Sequence, residues 1–175
     1  ALLAGGAMGR LASLSHHRSL VVGIGLLLLP VSAWGQGSAA QRATLKGVNT
    51  VEVVVESMDP VAERDGLTRA QLQTDVEERL RQAGITVGPT LTGHLYVNVD
   101  TVKGEHGQTY AYNVSVQYIQ QIALARDPKA PIFAPTWDTG GVGMIAANRL
   151  SEVRQDVTNY VDQFIKAYLE QNPKQ

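Results

Sequence analysis

Cysteine is absent from the 175 residues. That excludes a disulfide framework, a thiolate metal site, a cysteine nucleophile and lipid attachment through sulfur. Histidine is nearly as scarce: of four, His16 and His17 stand in the leading segment, which leaves His94 and His106 for the body of the chain. No excess of positive charge exists. The net charge is −1, and because Arg10 and Arg18 precede every acidic residue, a chain shorn of its leader is more negative still. A basic stripe for nucleic acid is thereby excluded. Long apolar runs end at Leu29, and low-complexity tracts are missing. With 44% hydrophobic and 18% charged residues the remainder can bury a core, so disorder is not its dominant state. Neither the phosphate-loop lysine spacing nor G-x-G-x-x-G occurs, and no cofactor is implied.

What is present begins with an export signal over residues 1–35. Arg10, His16, His17 and Arg18 without an acid are followed by the apolar run Leu20 to Leu29, then Pro30 and a small-residue stretch. Met8 reads as the true start. Ala33 and Gly35 supply the small-x-small pattern for cleavage before Gln36, and Ser38 with Ala40 supplies a second pattern for cleavage before Gln41. The run is shorter than the about 20 residues that a spanning helix needs. The expected location is therefore periplasmic or secreted, with no membrane-spanning segment after cleavage. Residues 36–47 read as a flexible lead, 48–171 as a single domain and 172–175 as a tail.

Within 48–171 the period of the apolar residues assigns the elements. Val51, Val53 and Val55 alternate with Glu52 and Glu56 over Thr50 to Ser57, the mark of a half-buried strand ended by Asp59 and Pro60. A helix over 69–83 is specified at both ends. Thr68 and Gln71 form a capping box, Leu67 and Leu72 a hydrophobic staple, Leu72, Val76, Leu80 and Ala83 the buried stripe, and Gly84 with Ile85 a Schellman stop.

Leu95, Val97 and Val99 have odd numbers, whereas Tyr110, Tyr112, Val114, Val116 and Tyr118 have even ones, so antiparallel pairs must sum to an odd value. A sum of 211 pairs Leu95 with Val116, Val97 with Val114 and Val99 with Tyr112 across a two-residue turn, Glu105 and His106. Asp127 to Pro135 reads as a loop, Ile132 to Trp137 as a short edge strand, and Gly140, Gly141 and Gly143 as a break. A second helix follows from Arg149 to Gln171 with Val153, Val157, Val161, Phe164 and Tyr168 on its buried face. The order βαβββα predicts an α+β fold, a mainly antiparallel sheet with two helices on one face.

Candidate chemistry is thin. Asp138, Thr139 and Gly140 spell the D-T-G of aspartic proteases, but that reaction needs two carboxylates sharing a proton, and one such tripeptide is present. A small hydrolase near Asp138 and the glycine turn is the alternative reading. His94 and His106 fall at opposite ends of a strand, about 40 Å apart if extended, so no metal site is expected. The reverse face of the hairpin is more informative: His94, Tyr96, Asn98 and Asp100 on one strand lie against Gln117, Ser115, Asn113 and Ala111 on the other. Tyr96, Asn98, Asn113, Ser115 and Gln117 form the candidate binding face, whose amides and hydroxyls suit an envelope protein, a peptide or a glycan. No catalytic residue is assigned, and the oligomeric state is left open.

The string L-T-x-x-x-L-x-x-x-V-x-x-x-L-x-x-x-G-I from Leu67 to Ile85 and W-D-T-G-G-V-G from Trp137 to Gly143, set in this element order behind a signal, resemble exported bacterial domains. In element order the chain is similar to small envelope domains such as the N-terminal domain of the Tol-system protein TolB and the lipopolysaccharide-assembly lipoprotein of the outer membrane. The resemblance implies a small α+β envelope domain and assigns no role to any residue; that the domain binds rather than catalyses is expected from the separated histidines, the missing cysteine and Asp138 as the single motif-like acid.

Overall fold

The computed structural model describes residues 37–173. The expected signal, with its cleavage site before Gln36, lies outside the described residues. Five strands form one sheet in the order β2-β1-β3-β4-β5: β1 Thr50–Val55, β2 Thr86–Val87, β3 Gly93–Lys103, β4 Thr109–Leu124 and β5 Asp127–Ala146. β1 runs parallel to both β2 and β3, while β3, β4 and β5 form an antiparallel meander. The fold is α+β, with a mixed rather than purely antiparallel sheet. Helices α1 Ala39–Ala43, α2 Pro60–Arg64, α3 Arg69–Gln82 and α4 Val153–Gln171 accompany it, with a 3-10 turn over Ala147–Glu152.

The helix α3 has the ends its sequence specifies. The Thr68 hydroxyl accepts from Gln71 N, and Leu67 and Leu72 are fully buried. Gln71 differs in one respect: its side-chain oxygen receives the Thr68 hydroxyl at 3.0 Å instead of reaching the backbone. At the far end Ile85 N donates to Leu80 O at 3.0 Å and Gly84 N to Arg81 O at 2.9 Å, with Gly84 at φ 78. Those two bonds are the Schellman pair.

Two Arg–Asp forks tie α3 to α4. Arg79 donates to Asp162 at 2.6 and 2.8 Å, and Arg154 to Asp75 at 2.7 and 2.8 Å. Val153, Val157, Val161, Phe164 and Tyr168 are buried as their spacing requires. The scarce aromatics are pooled there: Phe164 stacks on Tyr118 at 5.7 Å, meets Trp137 edge-on at 5.3 Å and lies 6.1 Å from Tyr168.

Three expectations are corrected. The β3–β4 register pairs Leu95 with Tyr118, Val97 with Val116 and Val99 with Val114, a slide of two residues. The parity rule survives, since the sum stays odd and both faces keep their residues. The turn is what differs. Gly107 N bonds Gly104 O at 2.8 Å, Gly104 N bonds Thr109 O at 2.9 Å, and Gly107 sits at φ 67, so the loop holds Glu105 to Gln108 rather than two residues.

Next, Asp127–Ala146 is one long strand, not a loop, a short strand and a break. It occupies the edge of the sheet, where Pro131 and Pro135 are tolerated because they need no ladder donor. Gly140, Gly141 and Gly143 lie in it for close approach: a Cβ would overlap the Val114 carbonyl, the Tyr160 hydroxyl and the Tyr112 ring, respectively.

Finally, the lead is folded. Ser38 and Gln41 form a capping box at 3.1 and 2.6 Å, and Leu45 is fully buried. Asn172, expected in the tail, accepts from Gly47 N at 2.8 Å and donates to Leu45 O at 2.8 Å. Leu45, the Asn172 amide and the Arg42–Glu170 ion pair at 3.5 Å thus dock the lead on the end of α4.

Candidate functional site: the outer face of the sheet

Alternation along each strand sends odd-numbered residues of β1 and β3 toward α3 and α4 and even-numbered ones outward. The outward row of β3 is His94, Tyr96, Asn98, Asp100 and Val102. In the observed register these stand opposite Ile119, Gln117, Ser115, Asn113 and Ala111 of β4. All five candidate residues, Tyr96, Asn98, Asn113, Ser115 and Gln117, therefore lie on one face of two central strands, each half-buried. The expected neighbours change: Tyr96 is beside Gln117 rather than Ser115, and Asn98 beside Ser115 rather than Asn113.

Both flanking strands add to this face. Just past the end of β1, Glu56 receives the Tyr96 phenol. That bond, with partial burial and the carboxylate charge, pushes the Tyr96 hydroxyl up to about 12, so it stays a protonated donor. Asn98 Nδ2 donates to Asp100 Oδ2 at 3.0 Å. From β5, Asp138 stands beside Gln117, Gly140 beside Ser115, Val142 beside Asn113 and Met144 beside Ala111.

The face is thus not uniformly polar. Its end toward the β3–β4 turn is apolar, with Val142 84%, Met144 77% and Val102 69% exposed. Asp100, Val102, Ala111, Asn113, Val142 and Met144 line a shallow concavity of about 570 Å³ there. Val142 and Met144 were not among the expected site residues. The period-2 alternation of Val142 and Met144 with Gly141 and Gly143 is a strand signal, masked because the glycines read as breakers.

The D-T-G residues have structural partners. Asp138 Oδ1 accepts from Gln41 Nε2 at 2.5 Å, which fastens α1 to β5. Thr139, buried, donates to Gln163 Oε1 of α4 at 2.8 Å. Gly140 presses on the β4 backbone. Beneath them the Tyr112 phenol donates to Asp156 of α4 and is pushed up to about 12, chiefly by that bond. Among the described residues no helix is long and apolar enough to cross a membrane.

No family model matches the chain, and no curated protein matches it. Among solved structures the chain is similar to the rare lipoprotein B from Shewanella oneidensis, with 14% sequence identity over 69% of this chain and 96% of that chain, at a TM-score of 0.33. An overlap this loose transfers no residue role and no ligand.

Proposed function

We propose that this chain is an exported, non-catalytic binding domain of the cell envelope, periplasmic or secreted, which receives an envelope protein, a peptide or a glycan on the outer face of its sheet. The observation that carries the reading is the division of that face, which no helix among the described residues covers. Half-buried amides and hydroxyls at Asn98, Asn113, Ser115 and Gln117 adjoin an apolar concavity walled by Val102, Val142 and Met144. Uncharged amides and hydroxyls exchange hydrogen bonds with a partner at a lower desolvation cost than ions, and the apolar end supplies surface to bury. A hydrolase centred on Asp138 has less support, since Gln41 occupies the carboxylate and the neighbouring Thr139 turns into the core.

In-cell crosslinking from a photoreactive residue at 98 or 115, with exposed position 78 on α3 as control, tests the reading. Capture of one envelope component at 98 and 115 but not at 78, lost in Asn113→Arg, is the expected result. Equal silence at 98, 115 and 78, with Tyr96→Ala and Asn98→Ala indistinguishable from wild type in the cell, overturns it.

A further inference from the structure

The upper part of β5 is an edge that nothing among the described residues covers. Ala147 N donates to the carbonyl of Gln108, the residue before β4, at 2.8 Å, which sets the phase of the ladder: odd-numbered residues from 139 to 147 bond the β4 side, and even-numbered ones turn their N–H and C=O away from it. Asp138, Gly140, Val142, Met144 and Ala146 therefore present backbone donors and acceptors to the open side. Among the described residues none of these backbone groups has a partner there. Farther down, the bulge opposite Tyr118 and Ile119 inverts the phase, so Pro131 and Pro135 face the open side and offer no donor. The Thr44 hydroxyl reaches the Thr136 carbonyl at 3.4 Å. Pairing is blocked below Asp138 and possible above it.

From these observations we infer that Asp138 to Ala146 pairs with the same stretch of a second copy of this chain, antiparallel across a two-fold axis at Val142. Two five-stranded sheets would then become one. An open ladder is satisfied only by an extended strand, and this stretch is complementary to itself. In the self-paired register Val142 meets Val142, Met144 of one copy lies over Gly140 of the other, and Asp138 falls opposite Ala146.

No residue from Thr139 to Ala147 is charged, so no like charges are opposed. On the inner face Gly141 lies opposite Gly143, which leaves no side chain to obstruct the approach. Val142 and Met144, among the most exposed large apolar side chains of the described chain, gain cover at the axis. This pairing does not depend on the binding role proposed above; it would set the two outer faces side by side, with the Val142 and Met144 walls of the two concavities adjoining at the axis.

The test is register-specific because the chain has no cysteine. Sedimentation velocity of the mature chain over a concentration series is expected to show a monomer–dimer equilibrium. Val142→Cys then carries the sole thiol, opposite its own counterpart at a Cα separation of about 5.5 Å, inside the span a disulfide bridges. It is expected to crosslink under mild oxidation. Met144→Cys, whose counterpart lies four residues along, about 13 Å away, is expected not to.

Val142→Lys and Val142→Glu, at a position exposed enough to leave folding intact, each oppose like charges at the axis and weaken the dimer on the order of tenfold or more. Mixing the two restores it. A monomer at every concentration overturns the inference and leaves the edge to a strand from another protein. Equal crosslinking at 142 and 144, or a dimer untouched by Val142→Lys, overturns it as well.

Discussion

The two edges of the sheet are closed by different means and to different extents. On the far side of β1 the strand β2 is two residues long and covers only Thr50 and Val51. Beyond it α3 takes over: Gln73 Nε2 donates to Val53 O at 3.0 Å and Arg69 Nε to Val55 O at 2.7 Å. Side chains of a crossing helix thus satisfy carbonyls that a neighbouring strand would otherwise bond. On the β5 side no helix among the described residues crosses, and the protection comes from prolines and from the hydroxyl of Thr44, the residue that caps α1. Among the described residues nothing pairs with the outward backbone groups of the uncharged positions Gly140, Val142, Met144 and Ala146. Exposed edges template pairing with other chains, so the difference marks where this fold is built to stop and where it can continue.

The largest effect is expected from loosening the helix that guards the closed edge. Leu80 is fully buried, and Leu80→Ala leaves a cavity costing about 2–5 kcal/mol, read as a drop in the denaturant midpoint. On the open side Gly140→Ala should cost about 1–3 kcal/mol, since the added carbon meets backbone that cannot swing away. Gly141→Ala should cost less, because the Tyr160 hydroxyl it meets is the end of a movable side chain. Equal costs at the two positions would show that β5 does not lie against β4 as described. Gly84→Ala comes next, at about 1 kcal/mol for a Cβ at φ 78; a neutral result would place the helix stop elsewhere.

Smaller still is Gln73→Ala, about 0.5–1.5 kcal/mol for the bond to Val53 O. Hydrogen exchange should rise at β1 and not at β4, and a uniform rise would remove the distinction between the edges.

Titration separates the two halves without mutation. Asp65 is held below its ordinary value of 3.8 by hydrogen bonds from Lys103 and Tyr110, in that order of importance. A depressed carboxyl stabilises the fold above pH 3.8, and that contribution is lost as pH falls through and below this value. Tyr96 and Tyr112 are raised from 10.0 to about 12. Their contribution is complete below pH 10 and disappears as pH climbs from 10 toward 12. Tyrosinate absorbance should therefore lag free tyrosine in the fold. Tyr96→Phe should remove the lag on the β1 side, and Tyr112→Phe the lag under β5. A titration unchanged by either would show that neither bond to Glu56 or Asp156 holds in solution.

The candidate face was legible as a set and not as a surface. Strand period alone put Tyr96, Asn98, Asn113, Ser115 and Gln117 on one side, because a residue's face depends only on whether its number is odd or even. Their neighbours depended on Gly107 taking a left-handed conformation that lengthened the turn, and on a third strand whose glycines gave no local strand signal. Asp138 was noticed for its tripeptide, whereas its observed partner, Gln41, lies 97 residues away, a separation no local pattern reports.

The sequence by itself determined what depends on neighbours within a few positions. The cap at Thr68, the staple of Leu67 and Leu72, the stop at Gly84 and the buried stripes of α3 and α4 are all interactions spanning one or two helical turns. The capping box of Ser38 and Gln41 spans an equally short distance, yet residues 36–47 read as a flexible lead. That α1 is held in the fold depends on Leu45 reaching the core and on Asn172 bonding Leu45 and Gly47, contacts made across the length of the domain. The same holds for β5. Glycine has a weak strand preference because it loses the most chain entropy and packs nothing, so only the crossing of Tyr160 and Tyr112 above Gly141 and Gly143 turns an apparent break into the edge of a sheet.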